Sequence, residues 1–382
     1  MLVNIALASR WLSFLLLFAL WPLSCWSSQN TPIEIAAVMA LSGKAEAYGR
    51  AALQGAQLAV DEINADGGLL LRPLVLTALD SQSKPLLAKL SAVKAVKRGV
   101  AGVVGDLWST HSLAIAPVLQ KAGVPMITPG STAPAVTQVG SYIFRVCYTD
   151  DFQGELMADF AFQALGHRKA AVLTNISETY SQKLANFFVR NFIQSGGQVI
   201  YQGGYKGSAV DFRDLLSPLK SIHPQVIFIP GYSRDSGLLI KQAYAMGIRA
   251  TYLGGDAWEK TIHEFAGEAL EGSYFSTHWH PGVPYARSRI FIARFRQAFG
   301  DEEISPFAAL AYDAVRVFAD AIKRAGVLDH ARIRDALAGT RQFAGATGPI
   351  TFDQNGDPIK KGASILKFHN GHWQFYKAFE PK

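Results

Sequence analysis

From Ile33 onward, short apolar runs alternate with amphipathic stretches almost without a break. Ile33–Met39 is a nearly continuous apolar run, as expected of a strand buried on both faces. Ala47–Asn64 carries apolar residues at Ala51, Ala52, Ala56, Leu58, Ala59 and Ile63, the spacing of one helical face, and Asp66-Gly67-Gly68 ends it. The pattern then predicts strands at Leu74–Leu79, Val100–Val104, Val124–Thr128 and Tyr142–Val146, with helices at Pro85–Arg98 and about Ser112–Lys121.

A second series repeats the first. Helices are expected at Gln153–Leu165, Ser181–Ser195, Asp211–Ser221 and Asp235–Met246, and strands at Lys169–Thr174, Gln198–Tyr205, Gln225–Pro230, Thr251–Gly254 and Ser273–Thr277. Two long helices (Tyr285–Phe299, Phe307–Ala325) and a short one near Ala331–Leu337 follow. A hairpin, Ile365–His369 with His372–Phe379, turns at Asn370-Gly371, a pair suited to a tight turn. Strand–helix alternation of this kind indicates parallel sheets with right-handed crossovers, that is, an α/β protein. At 382 residues the chain is too long for one compact core, so two α/β units are expected.

The stretch Val100–Pro134 places two small-residue turns at matching ends of neighbouring strands. One carries Ser109, Thr110 and Ser112, the other Gly130, Ser131 and Thr132. Helix starts with open N–H groups and short hydroxyls bind anions, so this stretch is expected to hold a carboxylate. Other polar and aromatic residues follow strands in the same way, at the edge where open α/β sheets bind ligands: Tyr48, Tyr180, Tyr232 and Asp256. Each has a plainer reading, packing for a tyrosine and a helix N-cap before Trp258–Phe265 for Asp256.

Charge and leader set the compartment. Formal net charge is +7, and without the leader's Arg10 there remain 36 basic against 30 acidic residues. The surplus is dispersed, which argues against a nucleic-acid partner. Residues 1–28 read as a secretory signal: Arg10, an apolar run from Trp11 to Leu23, then Ser24-Cys25-Trp26-Ser27-Ser28. The run is shorter than the roughly 20 apolar residues of a spanning helix. Cys25 is the alternative, a lipid-attachment site, although Pro22 stands where such signals prefer leucine. If Cys25 leaves with the leader, Cys147 is a lone small buried residue and no internal disulfide is possible.

Catalytic and cofactor motifs are wanting. No GxGxxG follows a strand, and there is no GxxxxGK[ST], HExxH or GxSxG. His278-Trp279-His280 puts two imidazoles on one face of an extended segment without an evident third ligand, which favours a surface or hinge role over a metal. No enzyme, cofactor or metal is called for.

Several segments in order resemble one family: Ala47-Tyr48-Gly49 before GAQLAVDEINADGG (Gly55–Gly68), Gly105–Ser112, ITPGSTAP (Ile127–Pro134), FRVCYTDDFQG (Phe144–Gly154), Pro230-Gly231-Tyr232 and GPITFDQNGD (Gly348–Asp357). The chain is similar to the leucine/isoleucine/valine-type substrate-binding proteins of bacterial ABC importers, with the type I periplasmic binding protein fold. The resemblance implies two doubly wound Rossmann-like lobes joined by a three-crossover hinge: lobe one at 31–150 and 280–348, lobe two at 151–279 and 349–382. It implies a monomeric, periplasmic amino-acid receptor closing on its ligand and delivering it to ABC permease subunits. Carried over, Ser109 and Thr132 with nearby N–H groups (Gly130, Ser131) would hold the α-carboxylate, and Asp256, assisted by Tyr232, the α-ammonium. Tyr48, Trp108, Tyr180 and Phe307 would border the side-chain pocket. A receptor for a non-amino carboxylate or an amide is the alternative on the same fold, and an enzyme using the cleft a further one. Many relatives have cysteine where Trp108 stands, bonded to another near Gln82, and glutamate where Asp256 stands; after Tyr180, Ser181-Gln182-Lys183 replaces a glycine-containing run.

Overall fold

A computed structural model describes residues 31–259 and 261–380; the expected signal segment and Cys25 lie outside them. The first lobe is built from β1 (Ile33–Met39), α1 (Glu46–Ala65), β2 (Leu74–Asp80), α2 (Pro85–Arg98), β3 (Gly102–Gly105), α3 (Ser109–Ala122), β4 (Met126–Thr128) and β5 (Ile143–Arg145). All its strands are parallel, in the order β2-β1-β3-β4-β5.

The chain then crosses into α4 (Asp150–Asp159), whose end runs on as a π-helical turn at Phe160–Ala164. The second lobe follows with β6 (Lys169–Asn175), α5 (Thr179–Gln194), β7 (Gln198–Tyr205), α6 (Arg213–Leu216), α7 (Leu219–Ile222), β8 (Val226–Phe228), α8 (Ser233–Ala245), β9 (Thr251–Gly254), α9 (Ile262–Ala266) and β10 (Tyr274–Thr277). A second crossing returns α10 (Ala286–Phe299), α11 (Pro306–Ala325) and α12 (His330–Ala338) to the first lobe. There α11 lies so close to α1 that a Cβ on Gly55 would meet the Ala308 carbonyl oxygen at 1.9 Å. After a small hairpin, β11 (Phe343–Gly345) and β12 (Gly348–Ile350), the third crossing delivers β13 (Ala363–His369) and β14 (His372–Phe379). These two add antiparallel to the second sheet, ordered β14-β13-β10-β9-β8-β6-β7.

Leaving out β13 and β14, both sheets share one order, so strand order reverses between β1 and β3 in one lobe and between β6 and β8 in the other. Ligands of doubly wound sheets bind at these switch points, outside the carboxyl ends of the strands. The fold class is therefore as the alternation of the sequence indicates.

Several boundaries differ from the sequence expectation, each for a local reason. Helix α3 begins at Ser109, not near Ser112, so Ser109 and Thr110 lie in its first turn. The helix expected at Asp211–Ser221 is broken by Pro218 into α6 and α7. The one expected at Trp258–Phe265 shrinks to α9, because Trp258 N–H closes a turn on the Gly255 carbonyl at 3.1 Å. Asp256 thus sits in a strand-to-turn corner and caps no helix. Among the described residues no helix is long and apolar enough to cross a membrane.

Candidate functional site

In the first lobe, the turn after β3 is fixed by one residue. The buried Asp106 carboxylate accepts from the Leu107 and Trp108 N–H groups (2.5 and 3.3 Å), from Ser81 Oγ (2.9 Å) and is paired with His111 Nδ1 (3.0 Å). Its carbonyl oxygen receives the hydroxyls of Ser112, Thr128 and Ser131 at 3.1, 2.6 and 3.0 Å. This welds the turn after β3 to the turn after β4. Arg145, fully buried, holds the second turn from beneath through the carbonyls of Ser131 (2.6 Å) and Ala133 (3.0 Å) and is itself paired with Asp357 on the third crossing.

The consequence for the predicted carboxylate cradle is a division of labour. The Ser112 and Ser131 hydroxyls are consumed in the weld, bonded also to each other at 2.7 Å. Ser109 stays at the first position of α3, its Oγ accepting only from Ala133 N–H at 3.2 Å, with the unspent N–H groups of a helix start around it. Thr132 Oγ1 is buried and has no hydrogen-bond partner among the described residues.

The second lobe answers with charge. Asp256, just beyond β9, is 3% exposed. Gln153 Nε2 donates to its Oδ1 at 2.7 Å, and His278 Nε2, just beyond β10, bonds its Oδ2 at 2.9 Å. The same Gln153 amide also donates to Tyr148 Oη at 2.8 Å, and the Tyr148 ring lies 3.9 Å from the imidazole of His278. Asp150, at the start of α4, is wholly buried and neither carboxylate oxygen has a hydrogen bond to a described residue. Burial pushes its pKa well above the carboxylate range, and the charge of Asp256 adds to the rise.

Five rings close the space between. Tyr48, from α1, reaches across so that its hydroxyl donates to the Ala257 carbonyl (2.9 Å) and bonds Ser233 Oγ (3.0 Å). Trp108 stacks on Tyr232 of the other lobe, centroids 3.9 Å apart and planes 18° apart. Phe307 and Tyr48 meet edge to face at 5.7 Å, and Tyr180 Oη accepts the Ala257 N–H at 3.4 Å. Around this rim Glu178 takes both Lys44 Nζ (2.7 Å) and Thr110 Oγ1 (2.9 Å) from the first lobe. The lobes are shut upon each other, and the enclosed free space is about 10 Å³, room for a single water.

Nine of the ten predicted positions line this one cavity: Tyr48, Trp108, Ser109, Gly130, Thr132, Tyr180, Tyr232, Asp256 and Phe307. Leu107 and Ala257 complete the wall. Ser131 stands behind it, in the weld. Glycine is required at 130 because a Cβ there would lie 2.9 Å from the Phe307 ring. Gln153, His278, Asp150 and Tyr148 were not foreseen as members of this region. Three of them lie within the Phe144–Gly154 motif, and His278 had been weighed only with His280. The two histidines part company: His280 stacks on Phe375 at 5.2 Å, at the surface side of the sheet. Among the described residues no group of three or more His, Cys, Asp or Glu side chains could hold a metal ion. Cys147 is buried beneath the site and its thiol is pushed up to about 12 by that burial.

Comparison with known proteins identifies the family. Residues 32–371 match the model of the family described as periplasmic binding protein. The Leu/Ile/Val-binding protein BraC3 of Rhizobium johnstonii is 30% identical over 344 residues, 90% of this chain and 93% of that protein. The leucine-, isoleucine-, valine-, threonine- and alanine-binding protein of Pseudomonas aeruginosa is 29% identical, covering 90% and 92%. Among solved structures, a leucine-binding protein from Thermotoga maritima superposes with a TM-score of 0.87 at 36% identity, covering 91% of this chain and 99% of that one. A branched-chain amino acid transporter substrate-binding protein from Streptococcus pneumoniae, in complex with isoleucine, gives 0.86 at 31% identity, covering 92% and 100%.

Proposed function

The chain belongs to the periplasmic binding protein family, and from that premise we propose that it is the extracytoplasmic receptor of an ABC importer for an α-amino acid. The observation that carries this reading is the polarity of the cavity, with hydroxyls and helix-start N–H groups on one lobe and a buried carboxylate on the other. A zwitterion leaving water needs both charges matched, since an unpaired buried charge costs several kcal/mol. Ser109, Thr132 and the N–H groups of their turns hold the α-carboxylate. Asp256 takes the α-ammonium, with Tyr232 beside it. Tyr48, Trp108, Tyr180 and Phe307 border the side chain, which is apolar (branched-chain or otherwise) or aromatic. Because these contacts come from both lobes, the ligand favours the closed form by its differential affinity for that form.

In this reading the protein is a monomer, exported by the segment at 1–28 to the periplasm, and the closed pair of lobes docks on ABC permease subunits. It performs no catalysis. Calorimetry with L-leucine and with its deaminated analogue 4-methylpentanoate tests the zwitterion assignment: L-leucine is expected to bind and the analogue to bind far more weakly. Equal affinity would remove the ammonium role of Asp256. A second reading, a receptor for a non-amino carboxylate or an amide, is favoured by one observation. Asp256 already has two donors, His278 and Gln153, so its carboxylate is hydrogen-bonded without a ligand.

A further inference from the structure

A second compartment of about 310 Å³ lies next to the site and shares a wall with it. The wall consists of Tyr48, Trp108 and Tyr232, which line both spaces. With about 10 Å³ free on the site side, a ligand enters only as the lobes part, a long side chain gains room only where a ring gives way, and the rings differ in how they are held. Tyr48 is latched by its hydroxyl to Ser233 and Ala257. Tyr180 receives the Ala257 N–H. Phe307 is rooted in the first turn of α11 and packs against Gly130. Trp108 Nε1 and Tyr232 Oη, by contrast, are buried and have no hydrogen-bond partner among the described residues. Their stack is held by ring packing, by His111 behind the indole (5.4 Å) and by Lys44 over its face (4.8 Å).

The chemistry beyond the stack differs from that of the site. Asp235, in the first turn of α8, lines the compartment and is 4% exposed. Asn175 Nδ2 donates to its Oδ2 at 3.1 Å; Lys44 and Arg234 also line the compartment, but among the described residues neither is paired with Asp235. Lys44, on the same wall, is taken by Glu178. Burial raises the pKa of Asp235, with the nearby Tyr205 hydroxyl, the Asn175 hydrogen bond and the charge of Lys44 opposing that rise. A buried carboxylate whose hydrogen-bond partners are neutral gains from a charged donor that arrives with the ligand.

We infer that the Trp108–Tyr232 stack is a movable partition and that the compartment behind it is a distal subsite, in which Asp235 and Asn175 receive the end of a long side chain carrying hydrogen-bond donors, an ammonium, guanidinium or amide. This rests on the α-amino acid reading, since the carboxylate and ammonium of the same ligand must be seated at Ser109, Thr132 and Asp256. It adds to that reading a class of substrate with extended, donor-tipped side chains.

The test is calorimetry of the full mature chain with L-alanine, L-leucine, L-glutamine and L-lysine, for the wild type, Trp108→Ala and Asp235→Asn. Wild-type binding of L-glutamine or L-lysine at least as tight as that of L-alanine is expected. Asp235→Asn should lower the lysine-to-leucine affinity ratio by about tenfold or more. Trp108→Ala, which joins the two spaces, should raise the affinity ratio of lysine to alanine by a similar factor. Trp108→Phe, which keeps an aromatic partner for Tyr232, should leave that ratio closer to wild type and so controls for a simple loss of packing. Binding of leucine and alanine with none of glutamine or lysine would overturn the distal subsite and leave the amino-acid reading intact. An unchanged lysine-to-leucine ratio in Asp235→Asn would overturn it equally. If none of the four amino acids binds, the amino-acid reading itself fails, and the subsite with it.

Discussion

The two walls of the cleft are made in different ways. The first-lobe wall comes from one short piece of chain, Asp106 to Ala133, in which a single carboxylate and its own carbonyl oxygen organise both turns. It offers neutral donors whose positions are set before any ligand arrives. The second-lobe wall is assembled from segments far apart in the chain: Tyr148–Gln153 from the first crossing, Tyr180, Tyr232, Asp256 and His278. It carries the ionisable groups, and most of its buried polar atoms depend on partners from another segment. Neutral hydroxyls tolerate local variation because an unmade hydrogen bond of that kind costs only about 1–3 kcal/mol. A buried carboxylate does not, so its partners must converge before it can be placed there.

Five variants would break or sharpen this contrast. The largest effect is expected at Asp256→Ala, which should weaken L-leucine binding by about 2–5 kcal/mol in calorimetry; a loss below about 0.5 kcal/mol would take the acid out of the site. Next comes His278→Asn, which removes the donor to Asp256 Oδ2. It should cost about 1–2 kcal/mol of binding while Asp256→Ala and the double variant differ little, because the histidine acts through the aspartate. Full additivity of the two would show that His278 acts independently.

On the opposite wall, Ser109→Ala should weaken binding by about 0.5–1.5 kcal/mol and Ser131→Ala should instead lower the urea midpoint with a smaller loss of affinity. The reverse ranking would mean that the weld and the cradle have been interchanged. A last effect, on stability and not on binding, concerns the third crossing, where Lys361 Nζ donates to Thr347 Oγ1 at 2.6 Å and Thr347 donates to Asp313. Burial lowers the pKa of Lys361 to about 8. Between about pH 8 and 10 the unfolded chain therefore binds the proton that the folded chain has lost, so this lysine's contribution to stability rises with pH, by about 1 kcal/mol per unit. In urea titrations the wild type should gain on Lys361→Met over that range, and parallel pH profiles would contradict it.

Much of the fold could be read from the chain because alternation is a local property. Apolar runs such as Ile33–Met39 and helical faces such as that of α1 are set by period alone. The short β11 (Phe343-Ala344-Gly345) and β12 (Gly348-Pro349-Ile350) show no apolar run, glycine and proline standing where a strand pattern would be read. Of the site, Ser109, Gly130 and Thr132 could be proposed from two turns only twenty-odd residues apart. Trp108 is assigned to the pocket only through the family resemblance, and its stack on Tyr232 shows it to be part of the wall between lobes. His278 was considered beside His280, its neighbour but one, whereas its true partner is Asp256.

By itself, then, the sequence determined the alternating elements, the two hydroxyl-bearing turns of Val100–Pro134 and the sheet edge on which the candidate site residues gather. Each of these follows from side-chain period, helix starts and turn residues within a few positions of one another. Tertiary structure alone decided that Ser131 serves the weld and not the cavity, that Asp256 is held by Gln153 and His278, and that Trp108 and Tyr232 divide the cleft. The physical reason is strand order. Parallel pairing of β9 with β10 lays the corners after Gly254 and Thr277 side by side, and closure of one sheet edge on the other brings Tyr48 to Ser233 across 185 residues of chain.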